Sequence, residues 1–398
     1  MKRIFQFISV LFIGFIVSSC SKQIQVTHVV SNTTATQEKG IYYSLPKTVL
    51  TIEVNYNKVY KIKGPYADLA NKYLGITNVI NENSNYFELA DIQINSYSIP
   101  DTDQYYFVEI PKSCGKKNAI RLNLTELGVL TGINEITKNI KPVNLYMQIQ
   151  EDDKEPFEMP EQRYVNLNLT TSFDTIIEKV ITDSVVLQKK SLKKVYVEKT
   201  AEQKAKEAAD YIMKIREDRY NLLIGYSEVN YSKESFEFMN DELNKMEKEY
   251  LNLFTGITVT KKYKKVFTYI PTNLENNVSI PLFSFSENEG VGDISNNNKI
   301  NVFLNIEKTV NTQTLSDFNN IKLNSEKKEV GFVYRIPEYG KISILFKDKL
   351  KAEKSILISQ FGIVSELPLV EKMKASFNPN TGSLKTISVN KKERNKNK

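Results

Sequence analysis

The chain has few of the residues that enzymes commonly use for catalysis at neutral pH. Its 398 residues include one histidine, His28, two cysteines and no tryptophan. A single histidine near the start of the chain argues against Ser-His and Cys-His catalysis and against histidine-ligated zinc. Histidine is also the commonest general base in enzymes at neutral pH, and the chain has just this one. No glycine-rich segment opens a predicted helix, so no phosphate-binding loop is expected. We therefore predict a protein that is not an enzyme and that uses no metal or cofactor.

Hydrophobic runs of transmembrane length are also missing. The longest mostly apolar stretch, residues 4–17, follows two basic residues and is too short for a permanent membrane-spanning helix. It is typical of a secretory signal peptide. It ends in VSSC at 17–20, which resembles the bacterial lipobox. We predict that residues 1–20 are a lipoprotein signal peptide and that Cys20 carries lipid, including palmitate; the alternative is a plain signal peptide with an incidental cysteine. Acyl chains anchor stably because each buried CH₂ contributes about 0.8 kcal/mol.

The segments next to this anchor and at the other end of the chain are polar. Residues 21–40 are predicted to be a tether between the lipid and the body. Residues 391–398 are predicted to be a basic, disordered tail. The formal net charge is +7, yet no basic helix or zinc-finger spacing indicates a nucleic-acid partner. Lipidation of Cys20 would leave Cys114 as the one remaining cysteine, so no internal disulfide is expected.

Alternating apolar and polar residues, the pattern of strands, lie on both sides of one helical segment. We predict an N-terminal β-rich domain over 41–199, with a short helix at 65–75 and separate strands at 87–99 and 105–110. A C-terminal β domain is predicted over 256–390. The expected fold class is α+β: two β units, sandwich-like or barrel-like, with an antiparallel α-helical hairpin inserted between them.

Residues 200–255 carry the clearest helical pattern in the chain. Thr200 and Gln203 form a capping-box sequence, and apolar residues recur every three or four positions as far as Gly225. Ser232 begins a second such run, which Gly256 ends. We predict a separable antiparallel hairpin that closes its own apolar seam and contacts a partner. The pattern does not decide whether the hairpin packs on the β body or protrudes from it.

Arg219 is the one charged residue on the apolar seam of the first predicted helix. Two interpretations remain open. Arg219 could pair with Glu242 or Glu249 on the second helix, its aliphatic stem lying along the seam. Alternatively, Arg219 could contact a partner protein.

The pattern Tyr-x-aliphatic-Pro occurs three times, at 43–46, 97–100 and 334–337. Seven of the 12 prolines follow Ile or Leu. Proline cannot donate to a strand ladder and makes the preceding residue extended. We therefore interpret the pattern as marking strand ends or sheet edges. The alternative is a repeated binding element.

Two groups of acids and two tripeptides are further candidates for chemistry. Glycoside hydrolysis needs two carboxylates across a cleft, and Asp101 with Asp103, or the acids at 151–153, could contribute. Adjacent acids are more often solvated turns. The tripeptides DTI at 174–176 and DSV at 183–185 resemble the acceptor of Bacteroidota O-glycosylation. Thr175 and Ser184 are therefore candidate glycosylation sites.

Several stretches resemble an uncharacterised family of Bacteroidota lipoproteins, known as a domain of unknown function. They are GIYYSLPKT at 40–48, KGPYA at 63–67, IREDRYNLL at 215–223, YRIP at 334–337 and QFG at 360–362. The resemblance implies a lipoprotein of the cell envelope and brings no reaction or ligand. The residues after Cys20 are SKQI rather than acidic. This favours the periplasmic face of the outer membrane over the cell surface.

The expected function is that of a membrane-anchored envelope lipoprotein with a non-enzymatic assembly, structural or binding role. Its expected partners are the membrane, through the N-terminal lipid, and an envelope protein. One alternative is a surface glycan-binding lipoprotein, since 22 tyrosines could stack on sugars. Another, less favoured, is a carboxylate-dependent glycan hydrolase.

Overall fold

Strands make up most of the part of the chain that the structure, a computed structural model, describes. The β-rich prediction is confirmed. Within this part, no helix combines the length and the apolar character needed to cross a bilayer. Cys20, Cys114, Ser184 and the basic tail lie outside it. The described residues are 24–29, 39–109, 120–135, 168–182, 185–226, 231–272, 277–294, 300–309, 331–370 and 373–389.

Three helices and fifteen strands are found in these residues. The helices are α1 (Ala70–Leu74, preceded by a 3-10 turn at Ala67–Leu69), α2 (Ala201–Leu223) and α3 (Lys233–Thr255). The strands are β1 (Gln25–Val29), β2 (Gly40–Ile62), β3 (Ser84–Glu109), β4 (Leu122–Leu124), β5 (Leu130–Ile133), β6 (Leu169–Thr182), β7 (Val185–Glu198), β8 (Ile257–Tyr269), β9 (Asn277–Ser286), β10 (Gly290–Gly292), β11 (Ile300–Lys308), β12 (Gly331–Phe346), β13 (Lys349–Pro368), β14 (Met373–Phe377) and β15 (Leu384–Val389).

Strands from both halves of the sequence share sheets. The first sheet has the order β1-β3-β2-β8, the second β10-β9-β11-β12-β13, and the third β15-β14-β5-β4. β8 follows the helical hairpin in sequence, yet it pairs along β2 from Leu50↔Tyr269 to Ile62↔Ile257. β5 likewise pairs with β14. The sequence boundary between two β units therefore does not separate the sheets, because long-range pairing has no local signal in the sequence.

Two apolar cores hold these sheets together. One joins the first and second sheets, with Ile52 and Ile94 on one side and Phe283, Leu304 and Ile344 on the other. All five are fully or almost fully buried. The second core collects Tyr43, Leu130, Phe332 and Phe377 from the first, second and third sheets. Each large aliphatic or aromatic side chain buried in this way stabilises the fold by roughly 1.5–3 kcal/mol.

Several prolines lie inside strands at irregular positions, which corrects the prediction that they mark strand ends, whereas Pro368 ends the edge strand β13 as predicted. β3 is one strand over Ser84–Glu109 rather than two, with Pro100 directly opposite Pro46 of β2. The pairing slips between Ser44 and Pro46. It slips again beside Pro337 in β12. A bulge leaves a backbone position unpaired, so a residue without an N–H can occupy it.

The predicted tether is interrupted by an edge strand. β1, at Gln25–Val29, pairs with the end of β3. His28 in this strand makes a 2.9 Å hydrogen bond from Nε2 to the backbone oxygen of Asp103. Its ring also lies 5.1 Å from that of Tyr106. The polar character of the segment is compatible with an edge strand because one side of such a strand faces solvent.

The helical hairpin, α2 and α3, has the bounds predicted from its caps. Thr200 and Gln203 exchange both hydrogen bonds of the capping box. The hydroxyl of Ser232 accepts from the N–H of Ser235. Gly256 ends α3 at a φ of 79°, in the left-handed region that favours glycine. The helical boundaries are local, which is why the sequence predicts them well.

Candidate functional site

One end of the helical hairpin, which we call the root, is packed on the short helix α1. Ala205 and Ala208 of α2 are fully buried, as is Phe254 of α3. The ring of Phe254 lies 5.5 Å from that of Tyr66, just before α1. The Tyr66 N–H donates to the Leu253 carbonyl at 2.9 Å. The small alanines accept the large residues of α3, as the antiparallel seam predicts, and the root is a fixed base.

Gly64 permits this close approach. A Cβ at this position would lie 2.3 Å from the carbonyl oxygen of Leu253. A distance below 3 Å to a backbone atom cannot be relieved by turning a flexible side chain. The glycine in the GPYA segment is therefore needed for the root to sit against the chain before α1.

Arg219 binds within the hairpin, but to a different acid from the two predicted. Its Nη1 donates to Glu247 and, at 2.7 Å, to Asn244 Oδ1. Arg216 Nε donates to the other oxygen of Glu247 at 2.6 Å. The predicted pairing with Glu242 or Glu249 is wrong. The three acids lie within about two turns, and the way the helices cross decides which of them faces the arginines.

Glu247 is buried, with a side chain 11% exposed. Its burial alone would raise the pKa of the carboxyl. The hydrogen bond from Arg216 and the charges of both arginines outweigh this effect and leave the pKa of Glu247 below its ordinary value. The carboxylate is therefore held ionised between two cations, where it joins α2 to α3.

This ion pair lies at the boundary between a packed and an open part of the hairpin. Ile215 is the last buried residue of α2, and Glu247 is the first buried residue of α3. Beyond them, towards residues 226 and 231, the two helices leave apolar side chains in solvent. We call this part of the hairpin the far end.

A cleft of about 460 Å³ lies between the helices at the far end. Tyr226 is 82% exposed and Phe238 is 69% exposed. Such large aromatic side chains in solvent are typical of interaction sites. The cleft combines apolar walls with two acids, and it is lined by Asp218, Asn221, Leu222, Tyr226, Tyr231, Phe238, Met239, Glu242, Leu243 and Met246.

This cleft has the chemistry of a docking site. Met239 and Met246 have flexible, polarizable side chains that adapt to different apolar shapes. Grooves of this kind between helices accept apolar segments of other proteins. Asp218 and Glu242 would favour positive charge beside such a segment. Arg219, the candidate contact residue from the sequence, binds Asn244 and Glu247 within the hairpin.

The three Tyr-x-aliphatic-Pro segments meet in space around a different feature. Pro46 and Pro100 face each other across β2 and β3. The Val333 N–H donates to the Tyr43 hydroxyl at 2.9 Å, in a site that raises the pKa of this phenol because it is buried. A Cβ on Gly382 would lie 2.9 Å from Pro46 Cδ and 3.3 Å from Arg335 Cβ. The repeated segments are parts of one junction between sheets.

A buried ion pair lies at the centre of this junction. Arg335 donates to Asp101 through Nη2 and to the Ser359 carbonyl through Nη1 at 3.1 Å. Burial lowers the pKa of Arg335, although the charge of Asp101 opposes this effect. Burial also raises the pKa of Tyr106 to about 12. Asp101 is 4% exposed and Asp103 lies at the surface, so the two acids do not face each other across an open cleft.

The remaining predicted site residues are spread over the chain. Thr175 lies in β6, where it is exposed. Cys20, Ser184 and the acids at 151–153 fall outside the described residues. In the part of the chain that the structure describes, no three His, Cys, Asp or Glu side chains come together as a metal site.

A family model described as "Domain of unknown function (DUF4831)" matches residues 39–385, and the chain belongs to this family. No curated protein and no solved structure matches the chain. The match covers the helical hairpin and strands β2 to β14, and it ends at the second residue of β15.

Proposed function

We propose that this member of the DUF4831 family is a lipid-anchored protein of the cell envelope that binds a partner protein through the far end of its helical hairpin. The observation that carries the proposal is the cleft between α2 and α3, with its exposed aromatic residues and its two acids. The role is one of assembly or binding rather than catalysis.

The packing of the hairpin suits this role, because one end is fixed and the other is open. Its root is buried on α1, and the ion pairs of Glu247 hold the two helices together where the root ends. The far end is thereby presented on a fixed support. A preformed site loses little conformational entropy when its partner binds. The sheets, which are joined by two apolar cores and which we propose to be a sandwich, would form the base.

The expected occupant is an apolar protein segment that carries Lys or Arg. Phe238, Met239 and Leu243 offer apolar surface, and Asp218 and Glu242 are also part of the lining. Glu242 has one close cation, Lys245 Nζ at 3.5 Å, and its side chain is 41% exposed. An acidic segment would meet like charge in this cleft, whereas a basic one would not.

The expected anchor is close to the folded body. Cys20 would precede Gln25, the first residue of β1, by five positions. A fully extended chain of this length spans at most about 17 Å. If Cys20 is acylated, the first sheet must therefore lie near the membrane, and the protein needs no long tether. Anchoring at the periplasmic face of the outer membrane agrees with the sequence after Cys20.

Photo-crosslinking in intact cells tests the contact. A photoreactive residue at Phe238 or Tyr226 is expected to capture one discrete protein, and the captured peptide is expected to be apolar with adjoining Lys or Arg. The double change Asp218→Lys and Glu242→Lys should remove this product. The matched control is a photoreactive residue at Tyr339, which is 49% exposed on the body. The same products from Tyr339, or products within the chain alone, would refute the proposal.

The anchor has a separate test. Cys20→Ala is expected to release the protein from washed membranes and to remove the acyl chains from its intact mass. Cys114→Ser is the matched control and should remain in the membrane fraction. Retention of the Cys20→Ala variant through detergent-free washing would show that lipidation at this residue does not anchor the chain.

A glycan ligand is the second candidate, because Tyr220, Tyr226 and Tyr231 are all exposed at the far end. Tyrosine rings can stack on the apolar faces of sugars. A glycan array probed with the full chain distinguishes the two. Saturable binding that Tyr226→Ala and Tyr231→Ala remove would support a glycan, and a negative array together with a protein crosslink would exclude it.

A further inference from the structure

Strands β6 and β7 form a second projection, a two-stranded sheet that joins no other sheet among the described residues. We call it the ribbon. The strands pair without interruption from Leu169↔Glu198 to Thr182↔Val185. They form a sheet of their own in the described part of the chain. A two-stranded antiparallel sheet has no interior and is marginally stable by itself in water. A ribbon of this kind is expected to gain stability from a surface that covers one of its faces.

Five of the seven exposed large apolar side chains described in the ribbon lie on one of its two faces; the other two, Ile176 and Val197, lie on the opposite face. Residues directly opposite in register share a face, and alternate residues along each strand do the same. The pairs Phe173↔Lys194, Thr175↔Leu192 and Thr171↔Tyr196 thus belong to one face, which we call face A. Its large apolar side chains are exposed by 48–71%: Leu169, Phe173, Ile177, Leu192 and Tyr196.

The charges of the ribbon are also divided between the faces. Face A carries Lys179, Lys190 and Lys194, and its one acid among the described side chains is Glu198 at the base. On the opposite face, face B, each lysine stands opposite an acid. Those cross-strand pairs are Asp174↔Lys193 and Glu178↔Lys189. Face B carries the smaller apolar surface, at Ile176 and Val197, and its charges are balanced, whereas face A combines a larger apolar surface with positive charge that no acid on its own face offsets along most of its length.

We propose that face A of the ribbon rests on an anionic phospholipid surface. Aromatic and aliphatic side chains would enter the boundary between headgroups and acyl chains, and the lysines would reach the phosphates. Lysine is suited to this because its long apolar stem can lie in the boundary while its ammonium stays in the polar layer. Each lysine near an anionic bilayer adds electrostatic attraction to the phosphates.

Other occupants fit the ribbon less well. A second copy packed face to face would bring three lysines against three lysines, which is unfavourable. Two strands side by side are also too narrow and flat to form the pockets that protein partners usually fill. A lipid surface needs no pocket, and it supplies apolar and anionic chemistry together.

This inference rests on residues outside the helical hairpin and does not depend on the proposed protein contact. A body held near the membrane by Cys20 would have the ribbon as a second point of attachment. Membrane contact by face A, however, can be measured whether or not Cys20 is acylated.

A cysteine scan along β7 tests the proposal, because alternate residues of the strand lie on opposite faces and only those on face A should contact the lipid. In the full chain with Cys20→Ser and Cys114→Ser, an environment-sensitive dye is attached in turn to cysteines at residues 191–196. Vesicles contain phosphatidylglycerol and a nitroxide lipid, and vesicles of phosphatidylcholine with the same nitroxide serve as control. Leu192, Lys194 and Tyr196 are expected to be quenched, whereas Ser191, Lys193 and Val195 are not.

Two outcomes of the scan overturn the proposal. One is equal quenching on both faces, or none, in phosphatidylglycerol vesicles. The other is no quenching of the dye on pure lipid vesicles combined with alternating protection of the same positions in whole envelopes, which would assign face A to a protein. A scan that alternates equally on phosphatidylcholine would also contradict the anionic part of the proposal.

A matched pair of variants provides a second readout in the same background. Phe173→Ser with Leu192→Ser is expected to weaken cosedimentation with phosphatidylglycerol vesicles about tenfold, because two apolar side chains no longer enter the bilayer. Ile176→Ser with Val197→Ser changes face B and should leave binding as it was. Circular dichroism checks that both variants keep the fold. Equal weakening by both pairs would refute the assignment of the two faces.

Discussion

The ribbon and the helical hairpin are both antiparallel pairs, but they differ in whether they bury their apolar side chains. The ribbon and the helical hairpin follow each other along the chain, and each is an antiparallel pair. The helical hairpin buries Ala205, Ala208, Ile212 and Phe254 in its root. The ribbon exposes Phe173 and other apolar side chains along the described part of face A.

The difference follows from the geometry of the two kinds of pair. Two helices face each other across a seam, so each can cover the apolar stripe of the other. Two strands in a ribbon lie side by side, and their side chains point away from both faces. A helical pair can thus be stable at one end and open at the other. A ribbon has to find its cover elsewhere.

Among the variants that test this difference, Phe254→Ala in the root is expected to lower the free energy of unfolding most. Removing a fully buried aromatic ring costs about 3–5 kcal/mol. We expect early loss of helical signal in thermal unfolding followed by circular dichroism. Phe238→Ala at the far end is the control, with almost no change expected. Similar losses in the two variants would show that root and far end do not differ.

Replacement of residues 201–254 by a short flexible linker is expected to leave the sheets folded. The sequence predicts little loss of stability. The structure adds a cost of roughly 2 kcal/mol, because Tyr66 before α1 would lose the ring of Phe254 that covers it. Chemical denaturation measures this cost. If the strand signal disappears with the deletion, the hairpin is part of the core and is not a separable element.

Glu247→Gln should have an intermediate effect, about 2 kcal/mol, because it weakens two charge-assisted hydrogen bonds. The folded-state pKa of Glu247 is lowered from 4.5, so the carboxylate contributes stability above pH 4.5 and loses it as the pH falls further. The difference in unfolding free energy between the native protein and the variant should therefore be full at pH 7 and should shrink as the pH falls below 4.5. Glu249→Gln, which changes a neighbouring acid, is the control and should leave the unfolding free energy at pH 7 nearly unchanged.

The smallest effect is expected in the ribbon. Phe173→Ser with Leu192→Ser removes two large apolar side chains, but both are already exposed by more than 60% in the folded chain. The unfolding free energy should change by no more than about 0.5 kcal/mol, as is usual for surface substitutions. A loss of several kcal/mol would show that face A is covered by another part of the chain.

The helices could be predicted closely because their signals are local. Thr200, Ser232 and Gly256 mark boundaries that depend on the neighbouring residues alone. The strands were harder to predict, since Pro100 looked like a strand end. Its partner across the sheet, Pro46, is far away in sequence, and a bulge that accepts both can be recognised when the two strands are aligned.

The candidate site was predicted in part. The apolar spacing of residues 200–255 indicates a hairpin and its seam, and the arrangement of small and large residues agrees with the packed root. The far-end cleft depends on where the seam stops being filled, at Ile215 and Glu247. Arg219 was assigned the wrong acid because helix crossing, rather than spacing along one helix, selects Glu247.

The pairing of β2 with β8 has a consequence for chain length and folding speed. Both projections lie in the loop from 63 to 256 that this pairing closes. The entropy of closing a loop grows with the logarithm of its length, so each doubling costs only about 0.6 kcal/mol. The projections could therefore be lengthened or shortened without disturbing the sheets. Contacts between such distant residues form slowly, however, and the pairing of β8 with β2 is expected to be the rate-limiting step in forming the first sheet.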